Sequence, residues 1–327
     1  MLTRRTLMQR AAAGAAFATL PLAAARAQVI NQTARVIVPF PAGGSTDVLA
    51  RIMAENLKGV YAPAAIVENR VGGAGRIAVD YVKGAEADGS VILFTPDFLI
   101  TVYPHSFKQL NYDSVRDFTP AGVCAKSALC ISVGPAVPAD VKTLQDFVQW
   151  CKANPKTATY ATTAAGGTPH FAGLLLSQES KVDMTPVHYK GGAPALQDLI
   201  GGHVSSSVNP VGEALPFAKA GTIRVLAVTS PKRSNFLPDV PSMKEAGYNV
   251  VIEAWLGALV PSKVPADVVS KLNVAIKNIF SAPDVTQKLA QLGNEPAYQT
   301  PADFAATVKS DIERWGPVVK ASGFVAD

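Results

Sequence analysis

Residues 36–51 read VIVPFPAGGSTDVLAR, and the fold is decided by how this stretch is parsed. A short apolar run, Val36, Ile37 and Val38, stops at Pro39. Two prolines and the pair Gly43-Gly44 then form a turn. Val48, Leu49, Ile52, Met53 and Leu57 follow at helical spacing, so the order is strand, Gly-rich loop, helix. Lacking a Cβ, Gly43 and Gly44 let the backbone come close to a ligand. The N–H groups of a helix's first turn have no partner within the helix and favour an anion. The loop therefore reads as a socket for a small negative group. Asp47, in that first turn, either stabilises the turn through the helix dipole or accepts a hydrogen bond from a ligand amine or an ordered water.

The same theme recurs in the second half. Residues 157–162 are strand-like, and 163–168 (TAAGGT) form another Gly-containing loop. Thr168 followed by Pro169 fits N-cap then first helical residue, with Leu174, Leu175 and Leu176 continuing the helix. Two such loops would open at the carboxyl ends of strands, where ligands bind in open α/β sheets. Facing each other across a cleft, they suit a small carboxylate and suit a dicarboxylate better.

Between and after these loops, strand and helix patterns alternate. Strands are expected at 65–67, 91–94, within 118–133 as two runs around Lys126-Ser127, and at 250–260. Helices are expected from 144, over 266–280 and over 301–321. Repeated βα units predict parallel sheets with helices on both faces. Residues 73–78 (GAGRIA) match a dinucleotide-loop spacing. The polar residues 68–70 separate strand from loop, and no acidic residue closes the next strand at the required distance, so helix start and close packing is the better reading. His105, His170, His188 and His203 show no metal-ligand spacing, and no G-x-S-x-G elbow is present. His170 is most simply a packing or loop-orienting residue.

Residues 3–8 (TRRTLM), an alanine-rich apolar stretch to 25 and the small-x-small site Ala25-Arg26-Ala27 read as a twin-arginine export signal cleaved after Ala27. That stretch is short for a membrane anchor. It holds Arg4, Arg5, Arg10 and Arg26 and no acid, so the formal charge falls from +5 to +1 when it is removed. No basic field is left to attract nucleic acid or anionic membrane. Cys124, Cys130 and Cys151 make no disulfide framework. Cys124 and Cys130 could pair, but two buried thiols is the preferred state.

The segments PFPAGGSTDVLAR, IVENRVGGAG, ADGSVILF, YDSVRDFTP, HYKGGAPALQDLIGGHV, LAVTSPKRSNFLPDVPSMKEAGY and PADVVSKLNVAI follow one another in order. Together they resemble the substrate-binding proteins of tripartite tricarboxylate transporters, the Bug-type periplasmic receptors, from about Arg35 to the end. The resemblance implies an α/β, two-lobe periplasmic binding protein of the Venus-flytrap type. Each lobe would be a mixed, mainly parallel sheet flanked by helices. Lobe 1 would comprise residues 28–127 and 229–327, and lobe 2 residues 128–228. It also implies a monomeric periplasmic protein without cofactor, metal or catalytic residue. Such a protein would deliver a small organic acid to the membrane subunits of its transporter.

The ligand-binding set carried over begins with the first loop: Phe40, Pro41, Ala42, Gly43, Gly44 and Asp47. The facing loop supplies Thr162, Thr163, Ala164, Gly166, Gly167 and Thr168. Thr95, Asp97, His170, Tyr189 and Asn209 complete the set. The facing loop departs from the family's usual serine and glycine pattern at Thr162, Ala164, Gly166 and Gly167. His188 replaces a common proline, and Ser205, Ser206 and Ser207 replace a stretch that often contains an acid. These departures concentrate ligand choice in the second lobe. A receptor for a membrane signalling partner, or a hydrolase or lyase using the same cleft, would share the fold.

Overall fold

The computed structural model describes residues 28–326, so the export signal and cleavage site expected from the sequence lie outside the described residues. β1 (Ala34–Val38) stops at Pro39, and α1 (Ser45–Leu57) starts three residues before the first periodic apolar residue. β2 (Ala65–Asn69) leads into a short 3-10 turn and α2 (Arg76–Lys83). A Cβ on Gly75 would stand 2.7 Å from Leu99 and 3.1 Å from Pro39, so the glycines of this loop serve packing. β3 (Val91–Pro96) is followed by two single-turn helices, α3 (Phe98–Thr101) and α4 (Tyr103–Ser106).

β4 (Phe118–Val133) is one continuous strand of 16 residues, where two were expected. The polar pair that suggested a break marks a change of partners. Up to Ala128 the strand pairs with β9 (Glu253–Pro261); from Leu129 it pairs with β7 (Ser206–Pro210) and β8 (Arg224–Val228). Backbone hydrogen bonding continues through Lys126-Ser127, so side-chain polarity there does not end the strand.

Between these come α5 (Leu144–Ala153), β5 (Thr159–Thr162), α6 (Thr168–Ser180), β6 (Thr185–His188) and α7 (Gly192–Ile200). Thr143 caps α5 through a reciprocal pair with Asp146. The N-cap of α6 is Gly167, one residue earlier than expected, which frees the Thr168 hydroxyl for a tertiary contact. α8 (Val211–Lys219) joins β7 to β8. The chain closes with α9 (Ala266–Phe280), α10 (Pro283–Gln291), β10 (Glu295–Pro296) and α11 (Pro301–Ser322).

The strand order is β2-β1-β3-β9-β4-β7-β5-β6, with β8 and β10 also on β4. Parallel pairs lie toward the two ends, β1 with β2 and β3, and β5 with β6 and β7. The central crossings β3–β9, β9–β4 and β4–β7 are antiparallel. The sheet is therefore mixed. Its βα units give the parallel parts, and the long strands linking the halves run against them. α9 buries Val269, Leu272, Ile276 and Ile279, each worth about 1.5–3 kcal/mol. Cys124, Cys130 and Cys151 are buried free thiols.

Candidate functional site

The topology brings the N-termini of α1, α6, α7 and α8 to one cleft with about 820 Å³ of atom-free space, open solvent included. Of the residues expected from sequence, Phe40, Pro41, Ala42, Gly44, Asp47, Asp97, Thr163 and Thr168 line it. Gly43, Thr95, Thr162, Ala164, Gly166, Gly167, His170, Tyr189 and Asn209 do not.

The first loop is built around Asp47. Gly43, at φ 92°, turns its N–H to Asp47 Oδ2 at 3.0 Å. Arg51 donates to both carboxylate oxygens, at 2.9 and 3.0 Å. Asn69 Nδ2 bridges Asp47 Oδ1 at 2.8 Å and the Phe40 carbonyl at 2.9 Å. Burial opposes the charged form, but hydrogen bonds from Arg51, Gly43 and Asn69 outweigh it and hold the carboxyl below its ordinary range. Asp47 is thus committed to shaping the socket. Asp47→Ala is expected to cost about 2 kcal/mol, because the Gly43 N–H and the Asn69 amide lose their acceptor while Arg51, half exposed, turns to solvent. Chemical denaturation measures this directly. The Asp47 contribution is present above the unfolded carboxyl value near 3.8 and is lost as pH falls through the lower folded one.

The facing loop folds on itself. Thr162 Oγ1 bonds to the Ala164 carbonyl at 3.2 Å and pairs with His188 Nδ1 at 2.9 Å. His170 Nδ1 accepts the Gly166 N–H at 3.2 Å. His170 is buried 4.7 Å from the His188 ring, and burial, then His188, press it down to about 4. His170 therefore orients the loop from behind, as a neutral ring. Gly167 lies against the Phe98 ring, and Thr168 Oγ1 reaches the Asp97 carboxylate at 3.2 Å. Asp97 is buried, and that burial, with Asp311, pushes its carboxyl up to about 7. Tyr189 is used by Asp198, at 2.6 Å, and Asn209 by Glu213, at 3.0 Å. Ser206 bonds to the Thr159 carbonyl inside the sheet at 2.8 Å.

Sequence reasoning missed the third wall. Lys190, Gly191, Gly192, Ala193 and Pro194 line the cleft at the start of α7, and Glu213 lines it at the start of α8. A signal was present: Gly191-Gly192 stands at the start of a helix, as Gly43-Gly44 stands just before one. Trp255 also lines the cleft, its ring edge-on to Phe304 at 4.8 Å and its Nε1 donating to Asp311 at 3.0 Å.

Residues 49–324 match the family described as the tripartite tricarboxylate transporter family receptor. The chain belongs to this family. Among curated relatives it is 34% identical, over 86% of its length and 84% of the relative's, to the UPF0065 protein in the tcbD–tcbE intergenic region of Pseudomonas sp. strain P51. Among solved structures it superposes on Rpa4515 of R. palustris with adipate at a TM-score of 0.85 and 32% identity, covering 90% of this chain and 98% of that one. MatC (Rpa3494) from Rhodopseudomonas palustris with bound malate gives 0.80 and 29%, over 88% and 98%. The chain is thus a two-lobe periplasmic binding fold of the receptor family, with β4 passing from its pairing with β9 to its pairing with β7.

Proposed function

We propose that this receptor captures a small carboxylate in the periplasm, without enzymatic activity, and delivers it to a tripartite tricarboxylate-type transporter. The observation that carries this is the convergence of the α1 and α7 N-termini, each entered through a glycine pair, on one cleft beside Lys190. Lys190 is the one cationic side chain among the described residues that line it. Helix N-termini and a lysine together suit an anion of carboxylate size. Adipate and malate in the two relatives belong to that class.

Residues 28–127 with 229–327 form lobe 1 in this reading, and residues 128–228 form lobe 2. Thr168 on Asp97 and Ser106 on the Gly166 carbonyl then bridge the lobes in the closed state. A ligand shifts the open–closed equilibrium by its contacts with both lobes, and the closed form is what a transporter can recognise.

Thermal stability of the exported chain, screened against a panel of organic acids, tests the proposal. A ligand at ~100 times its Kd adds about 2.7 kcal/mol of stability. Stabilisation by sugars or cations with no response to any organic acid would overturn it.

A further inference from the structure

A carboxylate already stands at the meeting point of the helix ends, and it belongs to the protein. Glu213, the third residue of α8, accepts from Asn209 Nδ2 at 3.0 Å and from the Ser45 N–H, at the first residue of α1. Gly192, the first residue of α7, is pressed against it. A Cβ there would fall 1.6 Å from Glu213 Oε2, so only glycine permits the approach. The positive ends of α1, α7 and α8 thus converge on one side chain that the sequence itself supplies.

The other charges at the cleft are spoken for. Asp47 is paired with Arg51, and Asp97 is buried against Thr168. Lys190, exposed, is left to balance one ligand carboxylate. Burial pushes the Glu213 carboxyl above its ordinary range, against the Asn209 and Ser45 donors. A second ligand carboxylate set beside it without a counter-charge adds another desolvated anion and like-charge repulsion, which discriminate against that partner.

We infer that Glu213 sets the ligand class: it occupies the place of a second ligand carboxylate, so the cleft takes an acid whose far end is neutral or cationic and rejects linear diacids. This rests on the carboxylate reading above. Calorimetric titration of chain-matched acids tests it, with hexanoate, 6-aminohexanoate and adipate as the central set and four- to eight-carbon homologues beside them. The wild type should bind the monoacid or the amino acid at least about tenfold more tightly than the diacid. Glu213→Gln should shift the ratio at least about tenfold toward the diacid, and Glu213→Ser, melting checked for both, should shift it the same way. A wild-type preference for diacids, or an unchanged ratio in both folded variants, would overturn the inference. If no acid of either kind bound, the carboxylate reading itself would fall, and this inference with it.

Discussion

Gly44→Val is expected to abolish carboxylate capture while the fold persists. Gly44 is the N-cap of α1, at φ −77° and ψ 167°, an extended conformation that valine adopts freely. A Cβ at this position meets no atom within 4 Å, yet the residue lines the cleft. The added methyl groups would therefore stand in the space a ligand needs, above the first-turn N–H groups. The structural cost is a poorer N-cap, of order 1 kcal/mol, or a few degrees at most in Tm. The binding cost is much larger, at least about a hundredfold, or about 2.7 kcal/mol. Titration with whichever acid the screen identifies, beside far-UV circular dichroism and a melting curve, separates the two. Wild-type affinity in Gly44→Val would reduce the loop to a structural turn.

The second large effect concerns Asp97→Asn, which is expected to stabilise the protein at pH 8 and to leave it nearly unchanged at pH 4. The Asp97 carboxyl is buried, accepts from the Phe98 N–H and the Thr168 hydroxyl, and feels the charges of Asp311 and Arg314 on α11. Burial first, and then Asp311, raise its folded value from 3.8 to about 7. The folded state therefore holds a proton that the unfolded state has released between these values. The stability contributed by the neutral form is full below about 4 and is lost as pH rises through about 7. At 1.36 kcal/mol for each unit, the loss is about 4 kcal/mol at most. An amide keeps the acceptor for the Thr168 hydroxyl and cannot ionise, so the variant escapes this loss. Denaturant unfolding at the two pH values measures the difference. An equal offset at both would show that the Asp97 charge is not what the fold resists.

The parts of the site that could be read in the sequence are those built by neighbours along the chain. The α1 socket was legible because Pro39, Gly43-Gly44, the first-turn Asp47 and the apolar spacing all lie within one strand, turn and helix. α6 was placed for the same reason, and the one-residue shift of its N-cap is a difference local preference does not resolve: Thr168 can cap, but its hydroxyl does better on Asp97, 71 positions away. The start of α7 carried a readable glycine pair, but nothing local said which of several glycine loops would face the first.

Tertiary structure decided what met across the cleft. The register of β4, shared first with β9 and then with β7, sets where α6, α7 and α8 begin relative to α1. That register is a sum of pairings between residues 73 to 143 positions apart, and no periodicity within a single segment reports it. It set His170 on the Gly166 N–H and Asn209 on Glu213, outside the cleft lining, and brought the Glu213 carboxylate to the Ser45 N–H. The sequence by itself determined that this chain makes helix ends able to hold an anion, because capping, glycine and helical spacing act within a few residues. Only the folded sheet decided which of those ends share one cleft, and that one of them is already held by the protein's own carboxylate.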